Sequence, residues 1–518
     1  MRESQTAGKT RPVVRAMPRA IRIALSAAVL AALGCSASSK NGNDSARGDT
    51  GNAAAGANAA GAGVALNLGG VGGKVDLELG GNNAGPPGAC VGDGWRCKIP
   101  DCTGKAPTTI RATVYDPAGV NPLYDVAVYV PNTELSPIAT GATCETCATP
   151  VSGSPITSAL TNPKGEFLLD KDVPAGSDVP LVLQVGKWRR LIKLPEVKAC
   201  QENTFSDPQL MRLPRNQAEG NLPKIALATG DADALECFLR RVGISDSEFT
   251  NPGGAGRVNL YADTGAASYQ AGGSFPPATQ LWNSLATMKS YDIVLNACSG
   301  SDDATREGIT AANKADLKSY LDGGGRVFLE HYHDTWLRGG NEDAAIEAEL
   351  MYQKTPFPAV ATWLPANDFD YQAGHPGAFA PYTVNVSFPK GKDFADWLQF
   401  VGASPKGLGT IELYDVKHPA MATLPPAQGW ISDATGVPYF SFNTPLEVPP
   451  EAQCGRVVHT GIHVGVEKLT SDDNGPFPGA CAAKPMVAQE KALEFLLFDL
   501  SSCVMTTDEP PKPPVVVK

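Results

Sequence analysis

The chain lacks any run of clustered lysine and arginine, although it is 518 residues long. Lysine and arginine number 43 against 54 aspartate and glutamate residues, which gives a formal net charge of −11. Phosphate backbones are bound by clustered basic side chains, so this pattern excludes nucleic acid as an expected partner. The length predicts two or three domains with linkers between them.

Hydrophobic runs of transmembrane length are also missing. The apolar run Ile23–Leu33 follows Arg15, Arg19 and Arg22 and is too short to form a stable membrane span. Basic residues followed by a short apolar run predict a signal peptide over residues 1–34. The protein is therefore expected to leave the cytoplasm.

The apolar run ends in Ala32-Leu33-Gly34-Cys35, which resembles the lipobox of bacterial lipoproteins. The resemblance implies cleavage before Cys35 and acylation of its thiol and its new amino group. This lipid would anchor the protein to a membrane of the cell envelope, and an ordinary secretory signal cleaved nearby is the alternative. Residues 35–88 are rich in Asn, Gly, Ala and Ser and predict a disordered tether.

Twelve cysteines are present, and the eleven other than Cys35 are expected to form disulfides in an oxidising compartment. Six fall in the first half of the chain and allow three bridges, whereas the five in the second half leave one free. The short Cys-rich linker 89–105 predicts a stapled turn. Cys144-Glu-Thr-Cys147 predicts a structural bridge within a loop, with redox activity and metal binding as alternatives. The disulfide candidates are Cys90, Cys97, Cys102, Cys144, Cys147, Cys200, Cys454, Cys481 and Cys503.

Residues 106–205 consist of short alternating segments separated by Gly, Pro, Asn and Asp, which predicts an all-β domain. Ile110-Arg-Ala-Thr-Val-Tyr-Asp116 and Ala159-Leu-Thr-Asn-Pro-Lys-Gly-Glu-Phe167 resemble a carboxypeptidase regulatory-like β-sandwich. The resemblance implies a binding or spacing role rather than catalysis. The predicted strands are Thr109–Tyr115, Val126–Val130, Glu166–Leu169, Val179–Val185 and Trp188–Leu194.

Strands and helices alternate over residues 220–504, which predicts a doubly wound, flavodoxin-like α/β domain followed by a Pro-rich tail over 505–518. The first strand is followed by Gly230-Asp-Ala-Asp233, which lacks the glycine pattern of dinucleotide-binding proteins. The predicted strands are Ile225–Thr229, Val258–Tyr261, Asp292–Ala297, Arg326–Glu330, Tyr382–Phe388, Thr410–Tyr414, Tyr439–Phe442 and Arg456–Ile462, and the predicted helices are Ala232–Val242, Ala278–Met288, Ala311–Leu321, Phe394–Val401 and Ala488–Leu500.

Polar side chains gather where the strand through Val327–Leu329 ends, and ligands of α/β sheets bind outside such strand ends. The chain continues Glu330-His331-Tyr332-His333-Asp334, so both histidines share a face if the strand extends that far. Imidazole and carboxylate ligands suit zinc or iron, although no cofactor is otherwise predicted. The metal candidates are His331, His333, Asp334 and His463, and the catalytic candidates are Glu330, His331 and His463.

Tyr291-Asp-Ile-Val-Leu295, Gly323-Gly-Gly-Arg-Val-Phe328 and Gly455-Arg-Val-Val-His-Thr-Gly-Ile-His463 resemble the ThuA-like group of the class I glutamine-amidotransferase-like fold. That fold carries a nucleophilic cysteine after the strand corresponding to Val327–Leu329. Here the chain has Glu330-His331 and neither Cys nor Ser, so classical amidotransfer is not expected. Cys298 follows the preceding predicted strand and is a candidate nucleophile acting with His331, and a buried small side chain or a disulfide partner is its alternative role.

Blocks near the carboxyl terminus, Cys454-Gly-Arg-Val-Val-His459 and Phe498-Asp-Leu-Ser-Ser-Cys503, resemble secreted proteins of myxobacteria with unassigned roles. Together these features predict a cell-envelope lipoprotein with a ligand-binding or structural role at the surface. The alternative is an enzyme that processes a carbohydrate or another small molecule at Glu330, His331 and His463.

Overall fold

The computed structural model describes residues 94–300, 309–338, 354–363, 375–404, 406–417, 419–464 and 474–516. The predicted signal peptide, Cys35, the tether and Cys90 lie outside these ranges. Residues Ala84–Lys518 form one compact unit of mixed α/β structure with several sheets. No helix within the described ranges is long and apolar enough to cross a membrane.

The first half of the described chain forms two small sheets, with the strand orders β4-β1-β7 and β3-β2-β5-β6. Their strands pair antiparallel except for β1 and β7, which are parallel. Side chains alternate along β1, because Ile110 and Ala112 are buried while Arg111 is exposed. The buried faces of both sheets contribute to one hydrophobic core. The strands are β1 (Thr109–Thr113), β2 (Ala127–Pro131), β3 (Pro155–Leu160), β4 (Glu166–Leu169), β5 (Gly176–Val185), β6 (Trp188–Val197) and β7 (Glu202–Phe205).

A ten-stranded sheet dominates the second half, in the order β15-β14-β17-β18-β19-β12-β11-β8-β10-β9. The run from β19 to β9 is parallel, whereas β14, β15, β17 and β18 pair antiparallel, and β13 pairs with β16 in a separate sheet. The strands are β8 (Ile225–Thr229), β9 (Phe249–Thr250), β10 (Val258–Ala262), β11 (Ile293–Asn296), β12 (Arg326–Glu330), β13 (Ala361–Thr362), β14 (Phe379–Val384), β15 (Thr410–Tyr414), β16 (Ala422–Thr423), β17 (Gln428–Asp433), β18 (Gly436–Thr444) and β19 (Gly455–Thr460).

Helices cover both faces of the parallel strands. Leu227 of β8 packs into one core together with α1 and α6, while its neighbour Ala226 packs into a second core with α2, α3 and α4. Both faces of β8 are therefore buried, which explains its uninterrupted apolar sequence. The helices are α1 (Leu235–Val242), α2 (Thr279–Trp282), α3 (Leu285–Lys289), α4 (Ala311–Asp322), α5 (Pro389–Phe400) and α6 (Ala488–Ser501).

Several boundaries differ from the sequence prediction. The helix predicted over Ala278–Met288 is two short helices, because Ser284 adopts an extended conformation and its side chain accepts a hydrogen bond from the Thr287 amide to begin α3. The strands that were not predicted are β3, β7, β9, β13, β16 and β17. In β3 and β17 the apolar side chains do not follow simple alternation, so the periodic signal is weak.

The small sheets and the large sheet are joined by buried contacts. The rings of Trp188 and Phe498 pack with centroids 5.7 Å apart. Lys187 Nζ lies 2.6 Å from Asp292 Oδ1, with both side chains almost fully buried. One continuous apolar core includes residues from both parts. The two predicted domains are thus packed as a single body.

Disulfides crosslink the two halves of the chain, although the even number of cysteines in the first half also allowed three bridges within that half. Cys144 and Cys147 do not bridge each other within a local loop. Loop spacing does not encode which distant elements pack against it, so the sequence could not reveal these partners. Cys237, which was not a candidate, is bonded, and Cys298 is free and buried. The described bridges are Cys102–Cys200, Cys144–Cys454, Cys147–Cys503 and Cys237–Cys481.

Several disulfides in one chain are typical of an oxidising compartment outside the cytoplasm.

Candidate functional site

Four polar side chains meet at the carboxyl edge of the parallel strands. Asp233 follows β8, Cys298 follows β11, His331 follows β12 and His463 follows β19. After β8 the chain forms β10 on one side of it and later β11 on the other. The strand order therefore changes direction beside β8, which is where open α/β sheets leave a crevice for ligands.

One potential metal-binding atom from each of these four residues lies within 4.8 Å of the others. We call this set the edge cluster. His463 Nδ1 lies 2.8 Å from Asp233 Oδ2, and His331 Nδ1 lies 3.6 Å from the same oxygen. The two imidazole rings stack with centroids 3.9 Å apart and an interplanar angle of 23°. A single carboxylate thus faces both histidines.

The backbone holds the edge cluster together. Val464 N donates a hydrogen bond of 2.7 Å to Asp233 Oδ1, which fixes the carboxylate. His331 has a φ of +43°, a conformation that ends β12 sharply and turns the chain into a 3-10 helix. Gly230 follows β8 without a side chain, and a Cβ there would overlap the Cys298 carbonyl. The loops carrying Asp233 and Cys298 therefore approach more closely than any other residue at position 230 would allow.

Glu330 is fully buried immediately before His331. Its Oε2 accepts a hydrogen bond of 3.0 Å from the Cys298 amide, and its Oε1 has no hydrogen-bond partner among the described residues. Burial, together with the nearby charge of Asp233, raises the pKa of Glu330 well above its usual range. A buried carboxyl with a strongly shifted pKa beside a crevice is typical of a functional site.

The charges of the edge cluster are interdependent. Burial raises the pKa of Asp233 even though His463 opposes the change. Burial by itself lowers the pKa of His463, but the charge of Asp233 and its hydrogen bond outweigh this and raise it. Burial and then the charge of Asp233 raise the pKa of the Cys298 thiol well above its usual range. A thiolate at Cys298 therefore needs a nearby cation to stabilise it.

The structure does not bring His333 and Asp334 to the edge cluster. Because β12 ends at Glu330, the alternation that would have aligned His333 with His331 stops. His333 Nε2 lies 3.0 Å from the Ala297 carbonyl oxygen, and Trp336 Nε1 donates to His333 Nδ1 at 3.2 Å. Both ring nitrogens are used, and burial lowers the pKa of His333 to about 4, so it is a neutral structural histidine.

Asp334 accepts a hydrogen bond of 3.2 Å from Arg338 NH1. Of the predicted metal ligands, His331 and His463 lie in the edge cluster, and Glu330, which was predicted as a catalytic residue, lies beside it. Asp233 was missed by the sequence analysis. Its only signal was its place directly after a buried strand, in Gly230-Asp-Ala-Asp233.

The donor set of the edge cluster suits zinc or iron. Zinc binds imidazole, thiolate and carboxylate at about 2.0–2.3 Å, which places tetrahedral ligands about 3.3–3.8 Å apart. Separations as long as 4.8 Å would have to shorten by at least about 1 Å to reach this range. Nitrogen lone pairs lie in the ring planes, so two stacked rings cannot point at one ion until one of them turns. Asp233 and a Cys298 thiolate would together balance a 2+ charge.

Comparisons with known proteins do not assign a family. No family model matches the chain, and no curated protein matches it. Among solved structures, a cytoplasmic protein from Salmonella typhimurium aligns with 55% of this chain and 100% of its own length, at 10% identity and a TM-score of 0.27. A likeness this distant carries no argument about fold or function.

Proposed function

We propose that this protein is a cell-envelope lipoprotein whose α/β part binds a divalent transition metal ion, with zinc as the first choice and iron as the second. The observation that carries the proposal is the edge cluster of Asp233, Cys298, His331 and His463. Zinc is favoured because it accepts this mixture of soft and hard ligands without a redox partner. The sheets around the site support a flavodoxin-like α/β domain that follows a β-sandwich.

The buried charges also favour a metal over a thiol nucleophile. Cys298, His463 and Asp233 have the residue types of a catalytic triad. However, a catalytic thiol normally has a lowered pKa and partial exposure, whereas Cys298 is buried and its pKa is raised. A bound divalent cation is the partner that would make this sulfur a thiolate.

Metal analysis tests the metal proposal. We expect the full-length protein, loaded with zinc and dialysed, to retain about one ion per chain, because four clustered ligands are the complement of a structural zinc site. The double variant His331→Ala, His463→Ala should retain almost none. The measurement is inductively coupled plasma mass spectrometry of detergent-purified protein.

His375→Ala is the matched control, because His375 is partly exposed and lies 2.7 Å from Asp433 rather than in the edge cluster. This variant should bind zinc like the wild type. Near-UV circular dichroism of the double variant separates lost ligands from lost structure. Equal metal content in the double variant and the control would overturn the proposal.

The membrane anchor is proposed from the residues around Cys35. We expect wild-type cells fed labelled palmitate to incorporate it into this protein and to retain the protein in the membrane fraction. Cys35→Ser should remove both the label and the membrane retention, because the acylated thiol is lost. An unlabelled wild-type protein would exclude lipidation and leave an ordinary signal peptide.

One observation favours a small-molecule enzyme as a second candidate. Glu330 is buried beside the edge cluster with one oxygen unpartnered among the described residues. Burying such a carboxyl costs free energy, and a purely structural metal site has no need of it. Glu330 would then transfer protons at the site, with a carbohydrate or another small molecule as its substrate.

A further inference from the structure

The loop Cys144-Glu-Thr-Cys147 carries two cysteines that are bonded to two different elements. Cys144 is bonded to Cys454, which directly precedes β19, across 310 residues of sequence. Cys147 is bonded to Cys503, which follows α6, across 356 residues. This loop, which we call the clip, therefore ties the small-sheet part of the chain to the start of β19 and to the end of α6.

The clip cysteines are accessible, unlike Cys454, the partner of Cys144 directly before β19. Cys144 and Cys147 are both exposed residues, whereas Cys454 is only 4% exposed. Attack on a disulfide requires access for the incoming thiolate. By contrast, Cys237 in the Cys237–Cys481 bridge is 1% exposed. The clip is thus the part of the described disulfide set that an external thiol reaches most directly.

The spacing of the clip allows a second disulfide arrangement. Two cysteines separated by two residues form the local bridge of Cys-X-X-Cys redox proteins. Once the Cys144–Cys454 bridge is opened, the Cys144 thiolate lies on the same short loop as the Cys147–Cys503 bridge. Intramolecular attack then has a high effective concentration.

We propose that Cys144-Glu-Thr-Cys147 is a thiol–disulfide exchange site at which an external dithiol converts two long-range disulfides into one local disulfide. One thiolate of the dithiol attacks Cys144, and the Cys454 thiolate leaves. The second thiol of the reagent closes its own disulfide and releases the Cys144 thiolate. Cys144 then attacks Cys147, the Cys144–Cys147 bond forms and the Cys503 thiolate leaves. Two protein disulfides become one, two protein thiols take up protons, and the dithiol is oxidised by two electrons.

Non-covalent contacts keep the clip near its original place after exchange, so the reaction is reversible. Cys147 N donates to the Val504 carbonyl oxygen at 3.0 Å, and Val504 N donates to the Glu145 carbonyl oxygen at 3.2 Å. Glu145 also lies 3.6 Å from Lys187 Nζ. The clip packs against Gly324, which precedes β12, so it lies at the opposite end of the strands from the edge cluster. The proposal does not depend on metal binding.

Trapping at defined redox ratios tests the exchange. The full-length protein is equilibrated in mixtures of reduced and oxidised dithiothreitol, quenched with acid, alkylated with N-ethylmaleimide and mapped by mass spectrometry. At intermediate ratios we expect a species with a Cys144–Cys147 linked peptide and alkylated Cys454 and Cys503. The Cys237–Cys481 bridge should still be intact in that species. If Cys454 and Cys503 were released but the linked peptide was found at none of the ratios, the exchange would be refuted.

Two double variants, one test and one control, isolate the intramolecular attack of Cys144 on the Cys147–Cys503 bridge. Cys144→Ser, Cys454→Ser removes the attacking thiol and leaves the Cys147–Cys503 bridge alone. At the ratio that frees Cys503 in half of the wild-type molecules, this variant should show about tenfold less free Cys503, because only intermolecular attack remains. Cys102→Ser, Cys200→Ser is the control and should release Cys503 as the wild type does. Equal release in all three proteins would also refute the proposal.

Discussion

Asp499→Ala is expected to lower the free energy of unfolding by about 3–5 kcal/mol, because it removes the carboxylate shared by the buried cations Arg456 and Lys390 and leaves Lys390 with Asp125, 3.4 Å away. Asp499 on α6 lies 2.8 Å from Lys390 Nζ on α5 and 2.8 Å from Arg456 NH1 on β19. The three side chains are at most 4% exposed. Equilibrium unfolding in guanidinium chloride, with the disulfides kept oxidised, measures the change.

The same carboxylate should make stability fall in acid. Burial alone raises the pKa of Asp499, but the charges of Arg456 and Lys390 outweigh it and lower the pKa overall. A lowered folded-state pKa stabilises the protein above the unfolded value of about 3.9, and this stabilisation is lost as the pH falls through the folded pKa. Asp499→Ala should remove that part of the acid dependence.

The surface ion pair of Lys392 and Asp396 on α5 is the matched control. Its atoms are 2.7 Å apart, but the side chains are 65% and 33% exposed. Water and salt screen such a pair, so Asp396→Ala should leave the unfolding midpoint nearly unchanged. If Asp499→Ala were no more destabilising than Asp396→Ala, the buried charges would have to be stabilised by other groups.

Local sequence was enough to predict several strands of the large sheet, among them β8 and β12, which support the edge cluster. The ends of β8, β12 and β15 were predicted at Ile225–Thr229, Arg326–Glu330 and Thr410–Tyr414, as the structure has them. Neighbouring glycines mark one boundary of each of these strands in the sequence. Since parallel strands end at a common edge, the positions of His331 and His463 followed from the same reasoning.

Contacts between residues that are distant in the sequence could not be predicted from local sequence. Asp233 and Cys298 come together because β11 lies beside β8, and nothing local to either residue encodes that neighbour relation. The same limit explains the clip, since Cys144 and Cys454 are 310 residues apart. The prediction for His333 had a different weakness. It depended on a strand continuing past Glu330, and the positive φ of His331 ends the strand there.

Gly230→Ala is expected to weaken zinc binding by about 100-fold, the upper end of losses seen when groups supporting metal ligands are changed. An added Cβ at position 230 would overlap the backbone carbonyl of Cys298. That oxygen belongs to backbone, so relief requires the loops after β8 and β11 to separate. Those loops carry Asp233 and Cys298, and the separation would pull two of the four ligand atoms apart. Competition with a chromogenic zinc chelator measures the affinity.

Gly253→Ala separates this effect from ordinary glycine strain. Gly253 lies in the connection between β9 and β10 with a φ of +83°, and no atom lies within 4 Å of its added Cβ. Alanine there costs about 1–2 kcal/mol of backbone strain and touches no ligand loop. Its zinc affinity should therefore equal that of the wild type. If both variants kept wild-type affinity while Gly230→Ala remained folded, close approach of the two loops would not be what holds the ligands. The metal would then have to be bound by a geometry that tolerates their separation, with His331 and His463 as its main ligands.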